Sequence, residues 1–188
     1  MKRFLKFITE MPHLAYTVNK SYFHDDDYEP VKKPGLNSST QEYHERLSKD
    51  KHYHYYQSRY EGMERKDHEH DGFTITDHKG NVKYNISGSG NRDTKEFRVK
   101  HAEANQNRST PYHHVISHLV SKGHVKKWIS DTSHSPGSHK TYSYLANNPN
   151  LEVTHRNSDT GTEHDVTPDN VESFYGTRGR FIVRKREQ

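Results

Sequence analysis

The sequence predicts an α/β fold of the α+β kind, in which a mixed, mostly antiparallel central sheet is flanked by helices. Residues 73–104 contain three successive strand-like segments separated by turn residues, which is the pattern of an antiparallel meander. Residues 105–153 then alternate between helix-like and strand-like segments. Such alternation places helices against the faces of a sheet.

The meander is predicted from alternation of apolar and polar residues. In 73–86 this alternation lies on both sides of 77–81, a segment of turn-forming residues, and therefore indicates a hairpin. The glycines and serine of 88–91 predict a second turn. The turn leads into a strand at 95–104, where apolar residues again alternate with charged ones.

A helix is predicted directly after the loop at 105–110. Thr110 is the expected N-cap and Pro111 the first helical residue, where the missing N–H of proline costs nothing. Lys122 and Gly123 are typical of a helix end. The apolar face of the helix is predicted to consist of Val115, Ile116, Leu119 and Val120.

The remaining elements follow from similar signals. A strand is expected at 125–130, and a second helix is expected to be capped by Ser135 and to begin at Pro136. Strands are expected to start near Leu151 and at 181–183.

Composition limits how much of the chain can pack. Only 28% of the 188 residues are hydrophobic, against about 45–50% in typical globular domains. We therefore assign one domain to 71–188, an amphipathic peptide to 1–11, and a polar, partly disordered or helical segment to 12–70. Capping-box spacing at 39–42 predicts a helix through Leu47.

Charge and cysteine content exclude several function classes. The net charge is +4, but acidic and basic residues are interspersed, so nucleic acid is not the expected partner. The absence of cysteine excludes thiolate catalysis and disulfides and fits a reducing cytosol. No apolar run approaches the roughly 18 residues of a membrane helix, so no membrane partner is expected.

Three features resemble the GCN5-related N-acetyltransferase (GNAT) superfamily, in the divergent form found among tailed-phage proteins. They are the meander before the loop and helix, the segment 128–137, and the Tyr-x-x-Leu pattern followed by a break and a strand in 142–153. The resemblance covers about residues 72–186 and implies binding of acetyl-CoA. By the same resemblance, backbone N–H groups of Asn107, Arg108, Ser109 and Thr110 would hold the CoA pyrophosphate.

The resemblance also implies roles in acetyl transfer to an unknown amine or protein acceptor. Tyr142 matches the tyrosine that protonates the departing thiolate. Glu103 and His134 are candidates for the general base that deprotonates the amine, and for each the alternative is a surface or structural role.

Two alternatives stay open at this point. Residues 108–113 lack the glycines typical of CoA-binding loops, which favours a catalytically inactive GNAT-fold protein of the virion, the internal head or host interaction. His114 and His118 lie one helical turn apart and could share a zinc ion, although no third ligand is identified.

The N-terminal residues 1–10 are basic and amphipathic and resemble the capsid-targeting peptides of large tailed phages. Such peptides are cut by a prohead protease after Leu/Ile-x-Glu, which residues 8–10 match. This resemblance implies the phage capsid and its prohead protease as partners and packaging inside the virion, in addition to the host cytoplasm. The alternative is an ordinary amphipathic helix.

Overall fold

The computed structural model describes residues 41–61, 72–91, 93–104, 110–132, 134, 136–174 and 176–187. The described strands are β1 Gln41–Lys49, β2 Tyr53–Glu61, β3 Gly72–Asp77, β4 Val82–Asn91, β5 Glu96–Ala104, β6 Lys127–Ile129, β7 Leu151–Asn157, β8 Glu163–Asp165 and β9 Gly179–Lys185. The described helices are α1 Tyr112–Ser121, α2 Pro136–Ala146 and a 3₁₀-helix at Val171–Phe174.

The nine described strands form one sheet in the order β1-β2-β3-β4-β5-β6-β9-β7-β8. Seven of the neighbouring pairs are antiparallel, and β5 with β6 is parallel. The mixed, mostly antiparallel sheet is therefore confirmed, and so are the meander β3-β4-β5 and the two helices. No helix within these ranges has the length and apolarity that crossing a membrane requires.

The parallel pair creates an opening in the sheet. Parallel neighbours need a long crossover, and α1 provides it between β5 and β6. Their ladder extends only from the pair Glu96–Lys127 to the pair Arg98–Ile129. Beyond it, β5 stays paired with β4, whereas the Ser130 amide donates to the Phe181 carbonyl of β9 at 2.8 Å. The two strands thus part after three paired positions.

Helix α1 packs on the sheet through the predicted face. Val115, Ile116, Leu119 and Val120 are all buried. Trp128 of β6 is fully buried, with its ring 5.3 Å from that of Phe97. Phe73 lies against Phe97 edge-on at 4.8 Å. Aromatic rings from β3, β5 and β6 therefore pack together in the core.

The start of α1 differs from the prediction. Pro111 has an extended backbone, with φ −62° and ψ 152°, and the helix begins at Tyr112 without a side-chain cap. Thr110 is therefore not the N-cap. Pro111 itself has the extended backbone of an N-cap residue, and the carbonyl of Thr110 accepts a hydrogen bond from the Tyr84 hydroxyl.

The turn predicted at 88–91 is wrong, because β4 continues to Asn91 and pairs with β5 along this segment. A register shift lies between Ser87 and Gly88. A Cβ atom on Gly88 would lie 2.1 Å from the Arg98 carbonyl oxygen. Glycine is thus required here by the close approach of two strands rather than by a turn.

The helix predicted through Leu47 is also wrong, since residues 41–49 form β1 and pair with β2. Tyr53 and Tyr55 in β2 are each only 1% exposed and belong to the main core. The tyrosine rings supply the buried surface that this segment, with its low aliphatic content, lacks otherwise. Residues 1–40 and 62–71 lie outside the described residues.

Candidate functional site

A cavity of about 780 Å³ lies where β5 and β6 part. Its size falls within the range of about 300–1,000 Å³ that is usual for small-molecule sites. Five parts of the chain form its walls: Tyr84 of β4, the second half of β5, the start of α1, the segment after β6, and α2.

The edge of β5 forms one wall of the cavity. Val99, Lys100, His101, Ala102 and Ala104 line it. The recorded ladder with β6 ends at Arg98, so within the described ranges the backbone of β5 beyond Arg98 borders the cavity on the side where β6 would otherwise pair. Backbone groups along such an edge can pair with an extended, amide-containing ligand.

Tyrosines form a second wall. Tyr84 and Tyr112 both line the cavity, with ring centres 5.7 Å apart. The buried hydroxyl of Tyr112 has no hydrogen-bond partner among the described residues. Because buried polar atoms are normally paired, this hydroxyl is available to a bound ligand. Burial raises the pKa of Tyr112, so the group remains a proton donor.

Tyr142 projects into the cavity from α2. Its side chain is buried and stacks on Phe181 at 4.3 Å with an angle of 12° between the rings. Burial raises the pKa of Tyr142, and the neighbouring Trp128 and Ser130 side chains offset this only in part. The phenol is consequently protonated at neutral pH and held in one orientation.

His134 lies beside Tyr142, with 6.3 Å between the ring centres. Its Nε2 atom is 2.9 Å from Ser130 Oγ. That hydroxyl donates to the Asp131 carbonyl at 2.6 Å and accepts from the Phe181 amide at 2.9 Å. With its only hydrogen used, Ser130 accepts from His134 Nε2, which leaves Nδ1 as the acceptor of a neutral imidazole.

The charge state of His134 suits proton acceptance. Burial lowers the pKa of His134, and the Asp131 carbonyl offsets this in part. A neutral imidazole is therefore present at pH 7, and a neutral imidazole is the form that can act as a general base.

Three of the residues predicted from sequence line this one cavity: Thr110, His134 and Tyr142. Glu103 lies in β5 opposite Asn85, and its side chain falls outside the described part. Asn107, Arg108 and Ser109 also lie outside the described residues. Sequence reasoning did not select Tyr112 and Ser130 as site residues. Tyr112 directly follows the predicted helix start, and Ser130 is the last residue of the strand predicted at 125–130.

The histidine pair considered for zinc does not converge on one point. His114 is exposed, whereas His118 Nε2 bonds to Ser48 Oγ at 2.9 Å. Within the described ranges, no three His, Asp or Glu side chains are grouped so as to hold a metal ion.

Comparison of the chain with protein-family models, curated proteins and solved structures found no match.

Proposed function

We propose that this chain is a phage-encoded GNAT-like protein that transfers an acetyl group from acetyl-CoA to an amine acceptor. The observation that carries the proposal is the cavity at the parting of two parallel strands, with a buried tyrosine and a neutral histidine on its wall. The cavity lies among β5, α1, β6 and α2, and the resemblance of this chain to the GNAT superfamily implies an acyl-CoA site in such a strand-helix-strand-helix unit.

Binding would use the edge of β5 and the positive side chains near the cavity. The pantetheine arm of CoA contains two amides that can pair with an open strand edge. Lys100 and Lys140 line the cavity and would attract the CoA phosphates. The proposal also retains Asn107, Arg108, Ser109 and Thr110 as the pyrophosphate-binding loop.

The reaction would proceed by direct transfer. His134 accepts a proton from the acceptor ammonium or amine, and the amine nitrogen attacks the thioester carbonyl carbon. The tetrahedral intermediate collapses with cleavage of the carbon–sulfur bond. Tyr142 donates its proton to the departing thiolate and regains one from solvent. Glu103 is the alternative base.

The Tyr142→Phe variant tests this role because it keeps the ring that stacks on Phe181 and removes only the proton donor. Acetyl transfer should fall by roughly 10²–10⁴-fold while acetyl-CoA affinity changes little. Turnover is measured with acetyl-CoA and a panel of amines by release of free thiol. Tyr56→Phe, a buried tyrosine outside the cavity, is the matched control, and unchanged turnover in Tyr142→Phe would exclude this general acid.

The second candidate is a catalytically inactive GNAT-fold protein of the virion or of host interaction. Pro111 at the cavity has no N–H to offer a phosphate, and the loop before it contains no glycine. The N-terminal peptide favours packaging, with the capsid and prohead protease as partners and both the host cytoplasm and the phage head as locations. The inactive protein would keep the cavity but bind no acetyl-CoA.

A further inference from the structure

A second group of reactive side chains lies at the junction of β1, β2 and α1. Ser48 Oγ, near the end of β1, is 2.9 Å from His118 Nε2 and 3.0 Å from His124 Nε2. A serine hydroxyl carries one hydrogen, so it donates to one imidazole and accepts from the other. None of these three residues lines the central cavity.

Asp50 determines which histidine accepts the serine proton. Its Oδ2 atom lies 3.7 Å from His118 Nδ1, an ion-pair distance that is too long for a hydrogen bond. The negative charge of the carboxylate nevertheless favours the ring proton on Nδ1. His118 Nε2 is then the acceptor for the Ser48 hydroxyl, and His124 Nε2 is the donor to Ser48 Oγ.

The carboxylate and the imidazole are both held in place. Asp50 Oδ1 accepts the backbone amides of His52 and Tyr53, each at 2.7 Å, and Oδ2 accepts the Tyr55 hydroxyl at 2.7 Å. The Tyr55 ring also stacks on His118 at 4.0 Å with an angle of only 10°. One tyrosine therefore orients both the acid and the base.

Ser48 is positioned by an irregularity in its strand. The register between β1 and β2 shifts between Arg46 and Ser48, which indicates a bulge at this point. Bulges redirect side chains and are frequent beside active sites. Ser48 is half-buried, and the side chains of His118 and Asp50 are 11% and 29% exposed, so the group is in contact with solvent.

The charge states agree with the geometry. Burial lowers the pKa of His118, and Asp50 offsets this only in part, so the imidazole is neutral at pH 7. Burial acts to raise the pKa of Asp50, but hydrogen bonds from Tyr55 and two backbone amides bring it below the usual value. A neutral base thus lies beside an ionised carboxylate.

We propose that Ser48, His118 and Asp50 form a nucleophile-base-acid site that hydrolyses esters of small carboxylic acids. The nucleophile and base lie within hydrogen-bond distance and a third group orients the base, which is how such sites are recognised on unrelated folds. The proposal is independent of acetyl transfer in the central cavity.

The reaction has two steps. Ser48 Oγ attacks the ester carbonyl carbon as its proton moves to His118 Nε2, and the alcohol leaves with that proton, which gives an acyl-serine. Water then attacks the acyl-serine, transferring a proton to His118. The carboxylic acid is released as Ser48 regains its hydrogen from His118.

The test uses the full chain with two probes, p-nitrophenyl acetate and diisopropyl fluorophosphate. Wild-type protein should release p-nitrophenol and acquire one phosphoryl adduct, located at Ser48 by peptide mass spectrometry. Ser48→Ala should lose the adduct and the activity, and His118→Asn should slow labelling by at least about 100-fold. Asp50→Asn should also slow labelling, whereas Ser121→Ala, an exposed serine of α1, should leave it unchanged.

Labelling of the wild-type protein between pH 4.5 and 8 provides a test that needs no variant to fold. The rate should rise as His118 loses its proton and reach its plateau before neutral pH, since the pKa of this group is lowered. No adduct at Ser48 after prolonged incubation, or labelling that is independent of pH and equal in a folded His118→Asn variant, would overturn the proposal. Ser48→Ala should still bind acetyl-CoA if that proposal holds, so the two can fail separately.

Discussion

At the scale of single residues, the buried His155 makes the free energy of unfolding depend on pH. It is 1% exposed, stacks on Phe174 at 4.5 Å, and its Nε2 has no hydrogen-bond partner among the described residues. Burial, and to a smaller extent the nearby His134, His164 and His139, together lower the pKa of His155 to about 4. The unfolded chain therefore binds a proton at this residue that the folded protein excludes.

The sign of the pH dependence follows from this difference. Above the unfolded pKa of about 6.5, the ring is neutral in both states and His155 does not lower the free energy of unfolding. As the pH falls from there towards 4, the unfolded chain gains the proton first, and the free energy of unfolding decreases. Urea unfolding midpoints should thus decline between pH 7 and 4.5, and His155→Gln should show a smaller decline than wild type. His114→Gln, at an exposed position of α1, is the control because His114 is not among the groups that shift the pKa of His155. An identical decline in His155→Gln and wild type would contradict the assignment.

Single residues also show what sequence reasoning could reach. Thr110, His134 and Tyr142 were selected by resemblance and line one cavity, while their chemical roles stay predictions. Tyr112 could not be selected, because only the fold reveals that its hydroxyl is buried with no partner in the described part of the chain. Ser48 and His118 are 70 positions apart, and no local pattern indicates that they meet.

At the scale of elements, the packing of α1 on the sheet supports the whole cavity. Leu119 is fully buried on the helix face that contacts the core. Leu119→Ala should lower the free energy of unfolding by about 2–5 kcal/mol, the usual range for truncating a buried leucine. Chemical denaturation measures the change, with Ser121→Ala on the exposed face as control. A loss under about 0.5 kcal/mol would show that this face is not core.

The elements that the sequence predicted correctly are those with clear apolar periodicity, such as α1 and β3. The sequence does not predict β2 because its buried positions are tyrosines among histidines, so the period of two is hidden in a polar-looking segment. For β1, the capping-box spacing at 39–42 predicts a helix instead. The turn predicted at 88–91 failed for another reason. Glycine in this segment indicates a turn, but the structure has Gly88 in β4, where the lack of a side chain lets the Arg98 carbonyl of β5 come close to the backbone.

At the scale of the whole molecule, the fold class was predictable and the cavity was not. Local sequence patterns predict the meander and the alternating helices. The parting of β5 and β6, in contrast, depends on the pairing of Ser130 with Phe181 of β9, which lies 51 residues later in the chain. Non-local pairing of this kind leaves no periodic signal.

The N-terminal peptide, which lies outside the described residues, is tested on the complete protein. If residues 1–10 form a head-targeting signal, protein from purified virions should begin at Met11, and protein expressed alone should begin at Met1. Glu10→Gln should abolish trimming without unfolding the domain, since exposed substitutions usually change stability by less than about 0.5 kcal/mol. Mass spectrometry that finds Met1 intact in particles, or no copies there, would remove the packaging proposal.

Calorimetric titration of the full chain with acetyl-CoA decides whether the central cavity binds this donor. We expect saturable binding at one site and, at about 100 times the dissociation constant, a stabilisation of roughly 2.7 kcal/mol. Arg108→Glu should weaken binding by repelling the phosphates, and Arg156→Glu, the same charge change at an exposed position of β7, should not. No heat of binding and no thermal shift at millimolar acetyl-CoA would contradict the acetyl-transfer function and favour the inactive GNAT-fold protein.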